Sequence, residues 1–125
     1  MEQSEQAKIE AEIVAKYEKQ MKKGVLDMLV LKLLKSEPKY GYQIIQELRE
    51  KSEGIFLLKD GTLYPVLYRL EDDGLVVSRW SEAEGKQMPR KYYEITENGR
   101  QAVADMETVW RHMAGGISKI MEGAL

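Results

Sequence analysis

Apolar residues recur at helical spacing across residues 60–75 of the chain. They stand at positions i, i+3, i+4 and i+7, which places them on one face of a helix. Asp60 is a suitable N-cap, and the Asp73-Gly74 pair ends the segment with a glycine suited to a left-handed cap. The buried stripe of this helix is therefore expected to consist of Leu63, Val66, Leu67 and Leu70.

The same periodicity predicts helices elsewhere in the chain. A proline at position 38 ends the second of them, because proline lacks an N–H and restricts the residue before it. Gly41 falls on the apolar stripe of the third and is interpreted as a packing residue. Thr96 can cap the last. The expected helices cover residues 3–21, 26–34, 41–48 and from 97 to about Glu122.

Two segments alternate between apolar and polar residues, as half-buried strands do. They are Leu75–Trp80 and Arg90–Ile95, and the polar, glycine-containing segment 81–89 between them predicts a hairpin tip. The expected order is α–α–α–α–β–β–α. This order indicates a mostly α fold with a small β hairpin (α+β): a winged helix-turn-helix with a further helix at each end. The expected boundaries are 1–23 for the N-terminal amphipathic helix, 24–96 for the winged-helix domain and 97–125 for the C-terminal dimerisation helix.

The outward face of the helix over 60–72 has a composition that suits a DNA groove. It carries hydroxyls, aromatic rings, a guanidinium and almost no carboxylate, whereas a solvated helix normally carries many charges of both signs. The tyrosines could instead cover the edge of the core. Their position beside or opposite the leucine stripe favours DNA contact, most clearly for Tyr68. The expected contacts on this helix are Thr62, Tyr64, Pro65, Tyr68 and Arg69.

Phosphate contacts are expected on two other segments. Lys39 and Tyr40 precede the helix over 41–48, where the helix dipole favours an anion. Lys86, Arg90 and Lys91 lie in and after the hairpin tip, although any one of them could be an ordinary solvated charge. Helix and wing together indicate a DNA-binding unit.

The C-terminal helix carries an a/d stripe spaced 3, 4, 3, 4. A helix of this length, about 40 Å, extends beyond a small winged-helix core, so its stripe is expected to pack against a second copy. The alternative is that it folds back on its own domain. The stripe and the apolar face of the first helix give the expected dimer contacts: Ile9, Ile13, Tyr17, Val103, Met106, Trp110, Met113, Ile117 and Ile120.

Trp110 is bulky for a tight two-helix interface. Flanked by Met106 and Met113, it could line an apolar pocket for an effector, since methionines adapt to varied shapes. It could equally do no more than fill the dimer core. The residues do not decide between the two.

Composition excludes several function classes. The 125 residues allow one domain, and the absence of cysteine excludes disulfides and thiolate metal sites, so a cytoplasmic protein is expected. The net charge of −2 is neutral evidence about nucleic acid, because local clustering of basic residues is what matters. No run approaches the roughly 20 apolar residues of a membrane span. His112 has no catalytic partner in the sequence, and neither an enzyme nor a cofactor or metal is expected.

Three blocks of the sequence resemble the PadR-like transcriptional regulators, a family of small winged-helix proteins. The blocks are 40–44 (YGYQI), 61–65 (GTLYP) with 69–71 (RLE), and 89–93 (PRKYY) with Ile95, Thr96 and Gly99. The resemblance runs from about Gly24 to Gly99, and the single C-terminal helix is similar to that of the shorter subfamily.

The resemblance implies a homodimer that binds a near-palindromic operator on double-stranded DNA, usually as a repressor. It also implies release by a small apolar or aromatic molecule. The helix over 60–72 would enter the major groove, while the wing would touch the DNA backbone or the minor groove. Glu82 and Glu84 depart from this pattern, because they place negative charge at the wing. The rival hypothesis is a protein–protein adaptor or antirepressor on the same fold.

Overall fold

A computed structural model describes residues 2–82, 85 and 87–123 of the chain. The helices and strands follow the expected order, with one additional strand between the second and third helices. They are α1 (Glu2–Lys23), α2 (Leu26–Leu34), β1 (Lys39–Tyr40), α3 (Gly41–Lys51), α4 (Asp60–Asp72), β2 (Val76–Trp80), β3 (Lys91–Ile95) and α5 (Glu97–Gly123). The mostly helical α+β prediction is confirmed.

The sheet has three antiparallel strands in the order β1-β3-β2. The predicted hairpin is β2–β3, in which Val76 pairs with Ile95 and Trp80 with Lys91. Strand β1, which the sequence did not predict, pairs Lys39 with Tyr93 on the other side of β3. This strand fixes the start of α3 to the base of the wing.

One apolar core joins helices α2, α3 and α4, the base of α5 and one face of the sheet. The predicted stripe of α4 is buried in it, as are residues from every other element except α1 and β1. Its buried apolar members are Leu26, Val30, Leu31, Leu34, Ile44, Leu48, Leu63, Val66, Leu67, Leu70, Val76, Tyr93, Ile95 and Val103. The core therefore holds α4 and the wing in one rigid arrangement.

The two ends of α4 differ in how well they were predicted. Lys59 is the N-cap residue and Asp60 is the first helical residue, so the prediction that Asp60 caps the helix is wrong by one position. At the other end Gly74 has φ +74, and Leu75 donates its N–H to the carbonyl of Leu70 at 2.9 Å. This is the left-handed glycine cap that the sequence predicted. Pro65 lies inside the helix, in its second turn.

Helix α5 begins as predicted and is anchored where it begins. Thr96 accepts a hydrogen bond from the N–H of Gly99 at 3.0 Å and donates one to the carbonyl of Gly74 at 2.8 Å. A Cβ on Gly99 would lie 2.1 Å from the carbonyl oxygen of Leu75. Only glycine allows the helix to pass this close to the end of α4.

Beyond this base, α5 leaves the core. Val103 is fully buried in its own domain and Met106 packs partly against the same core, so the assignment of Val103 to a dimer interface is wrong. From Trp110 onwards the stripe is about half exposed or more. The alternative, a helix folded on its own domain, holds for about the first three turns only, from Glu97 to Met106.

Helix α1 presents an apolar face that the domain does not cover. Ile9, Ile13 and Tyr17 are each about half exposed, and Met21 is more so. The helix is attached near its C-terminal end, where Lys22 donates a hydrogen bond to the carbonyl of Ile55. Two long apolar faces, on α1 and α5, thus stand exposed in the single chain.

Candidate nucleic-acid interface

The exposed side of α4 carries most of the predicted contacts on that helix. Thr62 and Pro65 are exposed, and Tyr68 is 50% exposed on the surface next to the wing. Tyr64 is partly buried, and a Cβ on Gly41 would lie 2.5 Å from its hydroxyl oxygen. Gly41 is therefore a packing residue, as predicted. Its contact with Tyr64 sets the distance between α3 and α4.

A lysine of the wing lies against the tyrosine of α4. The Nζ of Lys91 is 5.8 Å from the ring centroid of Tyr68 and 5.6 Å from that of Tyr93. Both distances are within the range of a cation–π contact. Burial raises the pKa of the Tyr93 hydroxyl to about 12, so this residue gives Lys91 a neutral aromatic surface. The contact brings a positive charge to the exposed side of α4.

A second contact of the same kind joins the wing to the start of α3. The guanidinium of Arg90 lies 4.5 Å from the ring centroid of Tyr40, which in turn packs edge-on against Tyr92 at 5.5 Å. The N–H of Tyr40, the N-cap residue of α3, donates a hydrogen bond to the side chain of Gln43 in the first turn of that helix. Arg90 is exposed. We call Thr62, Tyr64, Pro65, Tyr68 and Lys91, together with Tyr40 and Arg90 at the neighbouring end of the wing, the α4–wing face.

Lys39 is not on this surface, and its assignment as a phosphate contact is wrong. The side chain is 2% exposed, and its Nζ lies 3.0 Å from Glu47 and 3.3 Å from Glu37. Burial opposes the charged form, but the ion pairs with Glu47 and Glu37 outweigh it and raise the pKa of Lys39. Lys39 therefore holds β1 to α3 and does not offer its charge to DNA.

Arg69 is also misassigned. It lies on the flank of α4 that turns towards α2, where its Nη2 is 2.6 Å and its Nε 3.3 Å from the two carboxylate oxygens of Asp27. These hydrogen bonds raise the pKa of Arg69, the direction expected of a charged pair. The prediction that Arg69 contacts DNA is wrong because this two-pronged ion pair directs the guanidinium away from the α4–wing face.

The wing adds one residue that the sequence did not suggest. Trp80 is 67% exposed and pairs in register with Lys91, so it projects from the same side of the sheet as Lys91. The sequence shows Trp80 only as an aromatic residue at the end of a predicted strand, and such a residue can equally be buried. Of the two glutamates noted near the tip, Glu82 is exposed. Lys86 and Glu84 lie outside the described residues.

A groove lies between the end of α1, α2 and α5, with Arg69 of α4 at its edge. It has a volume of about 650 Å³, and all three predicted effector residues, Met106, Trp110 and Met113, line it together with Arg69. A smaller groove of about 280 Å³ lies on the other side of Trp110, next to Phe56. Trp110 is 45% exposed and stands as a wall between the two. We call the larger one the Trp110 groove.

Two other functional classes find no candidate site in the part of the chain that the structure describes. No three His, Cys, Asp or Glu side chains there come together as metal ligands would. None of the helices described there combines the length and apolar character needed to cross a membrane.

Comparison with known proteins gives a consistent result. The model of the Transcriptional regulator PadR-like family matches residues 30–105. A PadR-family transcriptional regulator from Eggerthella lenta has a similar structure, with a TM-score of 0.81 and 34% identity over 91% of this chain and 96% of that one. The transcriptional regulator Rv3488 of Mycobacterium tuberculosis is 36% identical over 63% of this chain and 73% of its own length. The negative transcriptional regulator PadR of Bacillus subtilis is 30% identical over 65% of this chain and 44% of its own length.

Proposed function

This chain belongs to the PadR-like family of transcriptional regulators, and from that premise we propose that it acts as a homodimeric repressor released from DNA by a small molecule. Family members are transcriptional regulators and not enzymes, and the chain is a DNA-binding regulator of this kind. Beyond family membership, we propose that the protein represses transcription, that it is a homodimer and that a small molecule releases it from DNA. The repressor role is supported by the similarity to the negative regulator of B. subtilis. A cytoplasmic location is part of the proposal.

The observation that carries the DNA-binding site is the α4–wing face. Lys91 stands against the exposed ring of Tyr68 and Arg90 against the partly buried ring of Tyr40, and α4 also exposes Thr62 and Pro65. Cations position a protein on phosphates, whereas hydroxyls, aromatic rings and methyl groups contact base edges. We assign base contacts to Thr62 and Tyr68 and phosphate contacts to Arg90 and Lys91.

The dimer is supported by the exposed stripes on α1 and α5. Ile117 and Ile120 on α5 are 55% and 73% exposed. The apolar side chains of α1 are about half exposed or more. Exposed apolar surface of this length does not stabilise a monomer. A copy related by a two-fold axis presents the same surface, so the stripes of the two copies can cover each other. Two α4 helices related by this axis would read half-sites about 34 Å apart, one helical turn of DNA.

The effector site is assigned to the Trp110 groove. Its volume lies in the range of small-molecule sites, and its α5 wall is an indole flanked by methionines. In a dimer this groove lies next to the exposed stripes, so a second copy can close it. We propose that a planar aromatic molecule binds against Trp110.

Salt dependence of DNA binding tests the assigned face. Each phosphate that the protein contacts on B-DNA releases condensed counterions. Each such contact therefore contributes about 0.9 to the magnitude of the slope of log affinity against log salt. Arg90→Ala removes two contacts per dimer, so the slope on a mixed-sequence duplex should fall by about 2 when followed by fluorescence anisotropy. Arg111→Ala is the matched control, because Arg111 is an exposed cation on α5.

The control should keep the wild-type slope. Equal slopes for wild type and Arg90→Ala would remove the wing from the interface. A wild-type protein without measurable affinity for DNA at low salt would favour the adaptor hypothesis.

A further inference from the structure

The wing leaves the core about halfway along β2. Val76 at the start of this strand is buried, whereas Trp80 at its end is 67% exposed. Ser78 lies between them and is partly buried. Trp80 pairs in register with Lys91, so Lys91 and the preceding Arg90 both lie nearer to the hairpin tip than Ser78 does. The position of these two cations on DNA therefore depends on how the hairpin is held at Ser78.

A carboxylate of α4 holds the hairpin at this point. The Oγ of Ser78 donates a hydrogen bond to the carboxylate of Glu71, across the turn that joins α4 to β2. Among the residues that the structure describes, no other side-chain hydrogen bond joins α4 to β2 or β3. A hydrogen bond to a charged acceptor is stronger than one between neutral groups. This bond thus connects α4 to the wing where the apolar core no longer does.

Glu71 is an unfavourable residue at this position unless it has such a role. It lies three residues after Tyr68, on the same side of α4, and its negative charge opposes the approach of phosphates. In the described parts of the chain, no cationic nitrogen lies within 4 Å of its carboxylate. The hydroxyl of Ser78 is the partner that the structure gives it.

The contact between Lys91 and Tyr68 also joins the wing to α4, but it constrains the wing less. A lysine ammonium is a point charge on a flexible stem, so its contact with the Tyr68 ring tolerates small movements of the hairpin. Serine has a short side chain and its hydrogen bond depends on direction as well as distance. The bond to Glu71 therefore restricts the angle between α4 and the wing more closely.

We propose that Glu71 is a positioning residue for DNA binding, which holds Ser78 so that Arg90 and Lys91 reach phosphates while α4 contacts the bases. This inference rests on the DNA-binding face proposed above and names the residue that sets its geometry. Glu71 itself touches no DNA, and it acts through the angle of the wing.

Two substitutions of Glu71 separate position from charge. Glu71→Ala and Glu71→Gln each remove one negative charge, but only glutamine keeps an oxygen that can accept the hydrogen bond of Ser78. Charge alone would make both variants bind DNA more tightly than wild type. Positioning predicts that Glu71→Ala reduces the magnitude of the salt slope on a mixed-sequence duplex by about 1 to 2, whereas Glu71→Gln keeps the wild-type slope. Fluorescence anisotropy of the full-length protein measures both.

Ser78 tests the other side of the bond. Ser78→Ala should reduce the slope as Glu71→Ala does, although it changes no charge, and Ser78→Thr should keep the wild-type slope because it keeps the hydroxyl. Ser52→Ala is the control for stability, since it removes a hydroxyl that accepts a hydrogen bond from the N–H of Phe56 at 2.9 Å in the turn after α3. This control should lower the melting temperature and leave the slope unchanged.

The failure of this inference differs from the failure of the proposed DNA-binding face. If Arg90→Ala reduces the slope but Glu71→Ala and Ser78→Ala do not, the wing contacts DNA and Glu71 does not position it. If both Glu71 variants bind more tightly with the wild-type slope, Glu71 acts through charge alone and the inference is overturned. If Arg90→Ala also keeps the wild-type slope, the wing is not in the interface and both proposals fail. Circular dichroism checks that each variant is folded.

Discussion

A charge placed at position 117 should dissociate the dimer while leaving each domain folded. Ile117 is on the α5 stripe and 55% exposed in the single chain, and no described residue beyond Met106 packs against the core. Ile117→Glu therefore removes an apolar contact that only a second copy can provide. The core of each domain is therefore expected to stay folded.

The magnitude follows from the exposed fraction. Complete burial of an isoleucine side chain contributes about 1.5–3 kcal/mol, so covering the remaining half contributes about 1 kcal/mol per copy and about 2 kcal/mol in a two-fold dimer. Burying two unpaired carboxylates costs at least about 2 kcal/mol more. The total of at least about 4 kcal/mol raises the dimer dissociation constant about a thousandfold.

Light scattering coupled to size exclusion, across a dilution series, measures this change. Ser118→Glu is the matched control, because it adds the same charge one residue further along an exposed part of α5, about 100° around the helix. The control should remain dimeric. A dimeric Ile117→Glu protein, or a control that dissociates equally, would refute the assignment of the α5 stripe to the dimer interface.

Three further substitutions test separate parts of the account. Tyr68→Ala should weaken specific DNA binding by about 1–3 kcal/mol in anisotropy titrations with little change in melting temperature, and a large loss of melting temperature would place Tyr68 in the core. Trp110→Ala should stay dimeric and bind DNA yet lose calorimetric binding of planar aromatic compounds; a monomeric variant would show that Trp110 only fills the dimer core. Gly99→Ala should lower the melting temperature sharply, because its Cβ would lie 2.1 Å from the carbonyl oxygen of Leu75, and an unchanged value would contradict the close approach of α5 to α4.

The helices and the hairpin could be predicted because their signals are local. The α4 stripe, the glycine cap at Gly74 and the Thr96 cap each depend on a few neighbouring residues, and all three are confirmed. Strand β1 could not be predicted, since two residues carry no periodicity and the strand exists only because it pairs with Tyr92 and Tyr93.

The site residues that were misassigned are those whose partners are distant in sequence. Arg69 and Asp27 are 42 residues apart, so helical spacing placed Arg69 on the flank of α4 but could not reveal the ion pair. Lys39 was read as exposed because lysine usually is, whereas Glu47 on α3 provides the charge that allows its burial. Val103 continues the a/d stripe without a break, so the sequence could not show where α5 leaves the core.

Selection of bound duplexes from random DNA tests the central claim most directly, because it asks whether the α4–wing face of a two-fold dimer reads sequence. The account predicts enrichment of an inverted repeat whose half-sites are centred about 34 Å apart, one turn of B-DNA. Recovery of a pool with no enriched sequence would contradict it and leave the adaptor hypothesis as the better explanation of this fold.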